Sequence, residues 1–297
     1  MPPARQPLIF GEVLFDRFPD GNAVLGGAPF NVAWHLQAFG AAPLFVSRVG
    51  NDDLGRRIQD AMQAWGMNGA GLQIDSQHPT GTVEVRFEQG EPAYDIVAGR
   101  AYDCIAADKL PQLTPALIYH GTLALRAATS LQTLETLKSR YDAPVFLDVN
   151  LRPPWWELQA ARKLLDNARW VKLNEDELGL LGTDSGTLDE RAARLRDTHG
   201  NELLIVTRGG DGAVAFSSDG QSAATRPGSG NAVVDTVGAG DAFTSVIILG
   251  LMRDWRLQQT LDRAQAFASA VVGVRGATVQ DLNFYRPFIE QWGLSAA

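Results

Sequence analysis

Val145-Phe146-Leu147-Asp148-Val149, Trp170-Val171-Lys172-Leu173 and Leu203-Leu204-Ile205-Val206 are three apolar runs of strand length, and the segments between them decide the fold. A helical pattern near Glu157–Asp166 separates the first two, and patterns at Glu175–Leu181 and Leu188–Thr198 separate the second from the third. Strands that alternate with helices of this length form βαβ units, because parallel neighbours need a long crossover. Upstream, Leu44–Val49 leads into a segment with Leu54, Ile58, Ala61, Met62 and Trp65 on one helical face, stopped at Gly66. Downstream, two helices near Ala239–Met252 and Leu257–Val272 are expected to finish the chain. The prediction is an α/β fold with a mainly parallel central sheet, residues 1–297 forming one domain without repeats or low-complexity linkers.

One region breaks the rhythm. Thr82-Val83-Glu84-Val85-Arg86-Phe87 alternates apolar and polar residues, as a strand with one wet face does, and Glu12–Val24 is strand-like around the turn signal Pro19-Asp20-Gly21-Asn22. Strands within about 12–24 and 80–103 are therefore expected to form a small β-layer outside the main sheet. Such a layer serves equally as a lid over a cleft, an edge that dimerises, or an ordinary exposed hairpin.

With 297 residues, 45% of them hydrophobic, the chain can bury a large core. A net charge of −8 and the absence of any Lys/Arg-rich run argue against nucleic-acid or anionic-membrane partners. The single cysteine, Cys104, precludes an internal disulfide and fits a reducing compartment. The four histidines form no His-x-x-x-His pattern and there is no Cys-x-x-Cys, so the spacing offers no zinc site. The apolar start at Leu8-Ile9-Phe10 is too short for a signal segment or a membrane span, and the expectation is a cytoplasmic protein.

Chemistry concentrates late in the chain, at Asp235-Thr236-Val237-Gly238-Ala239-Gly240-Asp241. Small residues opening an apolar helix let a ligand approach the backbone, and the helix N-terminus offers free N–H groups to an anion. A carboxylate in that first turn can take a proton from an attacking hydroxyl while the N–H groups stabilise a moving phosphoryl group. Alone, the same pattern is also a glycine turn with an acidic residue favoured by the helix dipole. A dinucleotide fingerprint fits poorly, because Phe243 occupies its third small position, and the absence of any Gly-Lys dipeptide excludes a Walker P-loop.

Two long stretches carry a specific resemblance. Asp235–Phe243 is similar to the C-terminal signature of the PfkB (ribokinase-like) carbohydrate kinases, and Gly26-Gly27-Ala28-Pro29-Phe30-Asn31-Val32-Ala33 resembles their N-terminal signature, in the same order and at the family's separation. The resemblance implies a three-layer α/β/α fold with a small β-sheet lid, ATP as co-substrate and Mg²⁺. It makes Asp241 the catalytic base and the N–H groups of Gly238, Ala239 and Gly240 an anion hole. It implies sugar contacts from Asp16, Gly26, Gly27 and Asn31. Asn174 and Glu177 match an Asn-x-x-Glu motif that helps position magnesium, largely through water; the pattern is also a capping box. Thr207, Gly209 and Gly212 resemble a nucleotide-binding Thr-x-Gly-x-x-Gly segment, which is equally a hairpin turn. Asp148-Val149-Asn150-Leu151-Arg152-Pro153 is similar to a segment of fructokinase-like and ketodeoxygluconate-kinase-like members, with Arg152 able to pair with an oxyanion. The neighbouring Trp155 and Trp156 are read as packing. Backbone carbonyls near Asp235, Val237 and Arg275–Ala277 are where the resemblance implies a K⁺ site.

The expected function is ATP-dependent phosphorylation of a sugar hydroxyl, with fructose as the best substrate. Other ketoses, 2-keto-3-deoxygluconate and ribosides stay open, as does a homodimer through the lid. From other classes, an inactive sugar-binding regulator is opposed by the intact Asp241, glycines, Asn174 and Glu177, and a nicotinamide dehydrogenase rests only on the weak glycine pattern.

Overall fold

The computed structural model describes residues 6–88, 91–108, 110–183, 185–228 and 233–294, without side chains at 87, 88, 91 and 92. Strands β1 (Leu8–Phe10), β2 (Leu14–Arg17) and β3 (Ala23–Gly26) precede α1 (Ala28–Ala38), β4 (Leu44–Gly50), α2 (Asp53–Ala64), β5 (Leu72–Asp75), β6 (Gly81–Glu88) and β7 (Glu91–Ile96). Next come β8 (Ile118–His120), α3 (Ala128–Arg140), β9 (Val145–Asp148), α4 (Leu158–Asp166), β10 (Trp170–Asn174), α5 (Glu175–Leu181), α6 (Leu188–His199) and β11 (Leu203–Thr207). The chain continues through β12 (Ala213–Ser217), β13 (Ser222–Thr225), α7 (Ala239–Met252), α8 (Leu257–Val272) and α9 (Leu282–Trp292). The expected α/β class is observed, with a large, mostly parallel sheet and a separate small one.

The chain divides into two compact units. One comprises residues 1–115, 124–142 and 278–297, and the other residues 116–123 and 143–277. In the second unit the strands run in the order β13-β12-β11-β10-β9-β8, with β8 to β11 parallel and the last two antiparallel. Strands β8 and β9 are buried along their whole length, which is why they read as unbroken apolar runs rather than alternating ones. The register sets Lys172 beside Asp148, and Asn174 beside Thr207, at the carboxyl ends of adjacent parallel strands. Ligands of open α/β sheets bind at this end.

In the first unit β1, β4 and β5 are parallel, and a second sheet runs β3-β2-β6-β7. Strands β2, β6 and β7 lie inside the stretches 12–24 and 80–103, β3 runs past the first of them to Gly26, and residues 89 and 90 lie outside the described residues. Asp52 fastens this sheet to its unit: as N-cap of α2 it accepts from the Gly55 N–H, and it also accepts from the N–H and hydroxyl of Thr80, just before β6.

In α1, residues Pro29 to Leu36 are all buried, as befits a helix covered on every side. One expectation needs correction: α7 and α8 do not finish the chain, because α9 follows, capped by Asp281 and ended by Gly293 at φ 66°, with Pro287 inside it. Its packing supplies what its sequence lacks. Phe39 meets Tyr285 and Trp292 with centroids at 5.5 and 5.4 Å, and Trp34 Nε1 donates to the Val279 carbonyl at 2.9 Å.

Candidate active site

At the carboxyl end of the second unit's sheet, α7 begins at Gly238, whose φ of 80° is left-handed. A Cβ there would lie 2.4 Å from that of Ala277, so only glycine lets the segment at Ala277 close against the turn. The first helical bond runs from the Ala242 N–H to the Gly238 carbonyl at 2.8 Å, and the preceding N–H groups have no partner within the helix. That of Ala239 donates back to the Thr236 carbonyl at a long 3.3 Å. Asp241 is half-buried in this first turn.

Behind the turn stands a group that the sequence reading passed over. Lys172 is buried on β10, and its Nζ lies 3.1 Å from both carboxylate oxygens of the buried Asp148. Burial alone would lower its pKa, but Asp148 first, then Glu177 and Asp241, outweigh burial and hold it charged. The Thr244 hydroxyl lies 2.9 Å from Asp148 Oδ2 and 2.9 Å from the Gly240 carbonyl, which ties the first turn of α7 to the ion pair. The signal for this network was a lysine inside an apolar run: a cation on a buried parallel strand demands a carboxylate partner.

Asn174 and Glu177 form the capping box read from their spacing: Asn174 Oδ1 accepts from the Glu177 N–H at 2.8 Å, and Glu177 Oε2 from the Asn174 N–H at 2.9 Å. Glu177 Oε1 also accepts from the Leu151 N–H at 2.7 Å, a tie no local spacing could announce. Burial pushes the Glu177 carboxyl up against these bonds and the Lys172 charge. With both oxygens engaged by backbone donors, Glu177 suits a metal held through water, not one ligated directly. Arg152 follows on an exposed turn, after Asn150 in the left-handed region at φ 38°.

Thr207 ends β11, half-buried, and a short turn leads into antiparallel β12. Gly209 is exposed at φ 53° with open space where a Cβ would sit. Gly212, at φ 89°, is buried, and a Cβ would fall 2.0 Å from the Thr225 carbonyl. Packing of the hairpin thus requires Gly212, whereas Gly209 leaves room for a ligand. Asp235 acts as a clip: one oxygen accepts from the Val237 N–H at 3.0 Å and the other from Gly276 at 3.1 Å. The two backbone segments expected to hold K⁺ are thereby neighbours.

In the first unit, Asp16 sits half-buried on β2, paired in register with Val24 and Val83. A Cβ on Gly26 would stand 3.7 Å from its carboxylate. Gly27, at φ 108°, leaves no room for a side chain, since a Cβ would meet the Glu12 carbonyl at 2.8 Å. It opens α1, and its carbonyl accepts from the N–H of the buried Asn31 at 2.9 Å. The fold therefore gathers Asp16, Gly26, Gly27 and Asn31 in one unit, and Asp241, the glycine turn, Asn174, Glu177, Thr207 and Asp235 in the other.

Residues 8–282 match the model of a family described as pfkB family carbohydrate kinase. The chain is 30% identical to a fructokinase of Salmonella typhimurium, over 93% of this chain and 97% of that protein. Among solved structures, it resembles a fructokinase with bound ATP from Xylella fastidiosa, at a TM-score of 0.85 and 20% identity, covering 98% of this chain and 99% of that one. It also resembles a fructokinase double mutant from Vibrio cholerae O395 in a form with fructose, ADP and potassium ion bound, at a TM-score of 0.79 and 24% identity, covering 95% and 98%.

Proposed function

The chain belongs to the PfkB family of carbohydrate kinases, and from that premise we propose that it transfers the γ-phosphoryl group of ATP to a hydroxyl of fructose. It is a phosphotransferase with the ribokinase-like α/β fold. The observation that carries the reaction is the start of α7: a left-handed Gly238 turns a row of N–H groups outward, with Asp241 in the same turn and the Lys172–Asp148 pair behind it. The similarity to fructokinases supports the choice of sugar.

In this reading, Asp241 orients the attacking hydroxyl and accepts its proton as the oxygen–phosphorus bond forms. N–H groups of Gly238, Ala239 and Gly240 stabilise charge on the transferring phosphoryl. Asp16 and Asn31 bind sugar hydroxyls, with Gly26 and Gly27 allowing close backbone approach, and Arg152 pairs with an oxyanion. Thr207 and Gly209 line the nucleotide's path, and Gly212 sets the shape of that hairpin. Asn174 and Glu177 would hold Mg²⁺, which would supply neutralisation of phosphate charge when bound with ATP. Carbonyls beside Asp235 and Val237, next to the segment at Gly276, suit K⁺. The small sheet serves as the lid, and Val24 and Tyr94, exposed on its outer strands, offer apolar surface to a second copy. A cytoplasmic location completes the proposal, supported by the unpaired Cys104.

A coupled ADP-release assay over a sugar panel tests it. Fructose should give the highest kcat/KM. A higher value for a riboside or 2-keto-3-deoxygluconate would overturn the substrate assignment, and sugar binding with no ADP formed from any candidate would overturn catalysis.

A further inference from the structure

The turn between β5 and β6 brings together residues that the proposed reaction does not use. Asp75, His78 and Cys104 each place one donor atom within 4.8 Å of the others. Asp75 Oδ2 lies 3.2 Å from His78 Nδ1, and the opposite ring nitrogen, Nε2, lies 3.9 Å from Cys104 Sγ, across 26 residues of sequence. Asp75 is itself rigid: its Oδ1 accepts from the N–H groups of Gln77 and His78 at 2.7 and 2.9 Å, and Arg48 Nε stands 2.8 Å from Oδ2. A carboxylate that accepts from one imidazole nitrogen fixes the tautomer in which the other carries a free lone pair. Here that lone pair faces the sulfur.

We propose that Cys104 Sγ and His78 Nε2, oriented by Asp75, form a binding site for a thiophilic divalent cation of the zinc type. Bond lengths of about 2.0 Å to nitrogen and 2.3 Å to sulfur set two such donors about 3.5 Å apart on a tetrahedral ion, so the observed gap needs to close by only a few tenths of an ångström. A thiolate with an imidazole selects zinc-like ions over Mg²⁺, which prefers oxygen. Access is open, since 37% of the His78 side chain is exposed and Cys104 is half-buried. Burial, then Asp75, keeps the Cys104 thiol protonated without a cation, so binding releases a proton and strengthens as pH rises. The Arg48 charge subtracts from affinity, and with two protein donors the ion completes its shell with solvent. Because His78 lies ahead of β6 and Cys104 beyond β7, the ion would pin the base of that hairpin, where the Ala101 N–H already donates to the Pro79 carbonyl at 2.9 Å.

Co²⁺ is the probe, titrated into the untagged full-length protein while thiolate-to-cobalt charge transfer is followed in the near ultraviolet. Cys104 is the only cysteine, so any such band reports this site. A saturable band at one equivalent, reversed by Zn²⁺ but not by Mg²⁺, is expected. It should vanish in Cys104→Ser and weaken at least about tenfold in His78→Gln, both variants first shown to keep the wild-type melting temperature in EDTA. Should either melt lower, the same titration on wild-type protein with Cys104 alkylated replaces it. No band in the wild type, or equal Co²⁺ affinity in His78→Gln, would overturn the site.

Discussion

Asp241 stands in the first turn of α7, and its charge is one of those that hold the buried Lys172 charged. Asp241→Asn keeps the shape and removes the proposed base, so turnover should fall by about two to four orders of magnitude while ATP and sugar still bind. Single-turnover kinetics alongside calorimetric titration separates the two, and near-normal turnover would remove Asp241 from its role. Lys172 makes a different prediction. Lys172→Met strands the buried Asp148 charge and should cost about 3–5 kcal/mol in urea unfolding, whereas adding Asp148→Leu should recover most of it. Equal stability of the single and double variants would show that the pair is not coupled. At this scale the sequence announced residues through their neighbours: Asp241 through its glycines, Asn174 and Glu177 through their spacing. Lys172 showed only as a charge inside an apolar run and Thr244 not at all, because their shared partner Asp148 reaches them through strand register and helix docking.

The elements were legible where burial is uniform. Strands β9, β10 and β11 read directly as apolar runs, and α7 and α8 as apolar helical patterns with the observed limits. Helix α9 was not, because Pro287 interrupts its pattern and its support comes from Phe39, far away in sequence. The same distance effect hid the difference between two glycines that look alike. Gly238→Ala must hold alanine in the left-handed region, at about 1–2 kcal/mol, and also push its Cβ into that of Ala277. Gly209→Ala meets the backbone penalty only, with open space around it. The melting temperature should therefore drop further for Gly238→Ala, and its kcat should fall at least about tenfold if the turn is the proposed anion hole. Equal effects of the two substitutions would contradict the packing described for the turn.

For the whole molecule, acidification is the informative stress. Burial alone would raise the Asp52 carboxyl, but bonds from the Thr80 hydroxyl and N–H and from the Gly55 N–H outweigh it and hold it below the ordinary 3.8. A folded-state pKa below the unfolded one contributes stability that is complete above about 3.8 and is lost as pH falls through the folded value. Melting curves from pH 5 down to 3 should show Asp52→Asn declining less steeply than the wild type. Parallel declines would mean that Asp52 has no part in the acid response. Fold class and the reaction were thus readable from two signatures and the strand–helix rhythm, while the division into two units was not, since each is assembled from segments distant in the chain. That division has a consequence for how the protein is made. Residues 116–123 and 143–277 all precede the segment beginning at Thr278 in the order of synthesis, so every residue of the second unit is translated before the last segment of the first. The first unit is completed last: Trp34 and Phe39, near its beginning, wait for Val279, Tyr285 and Trp292, and until those arrive their aromatic surface is bare on the nascent chain for chaperones to shield.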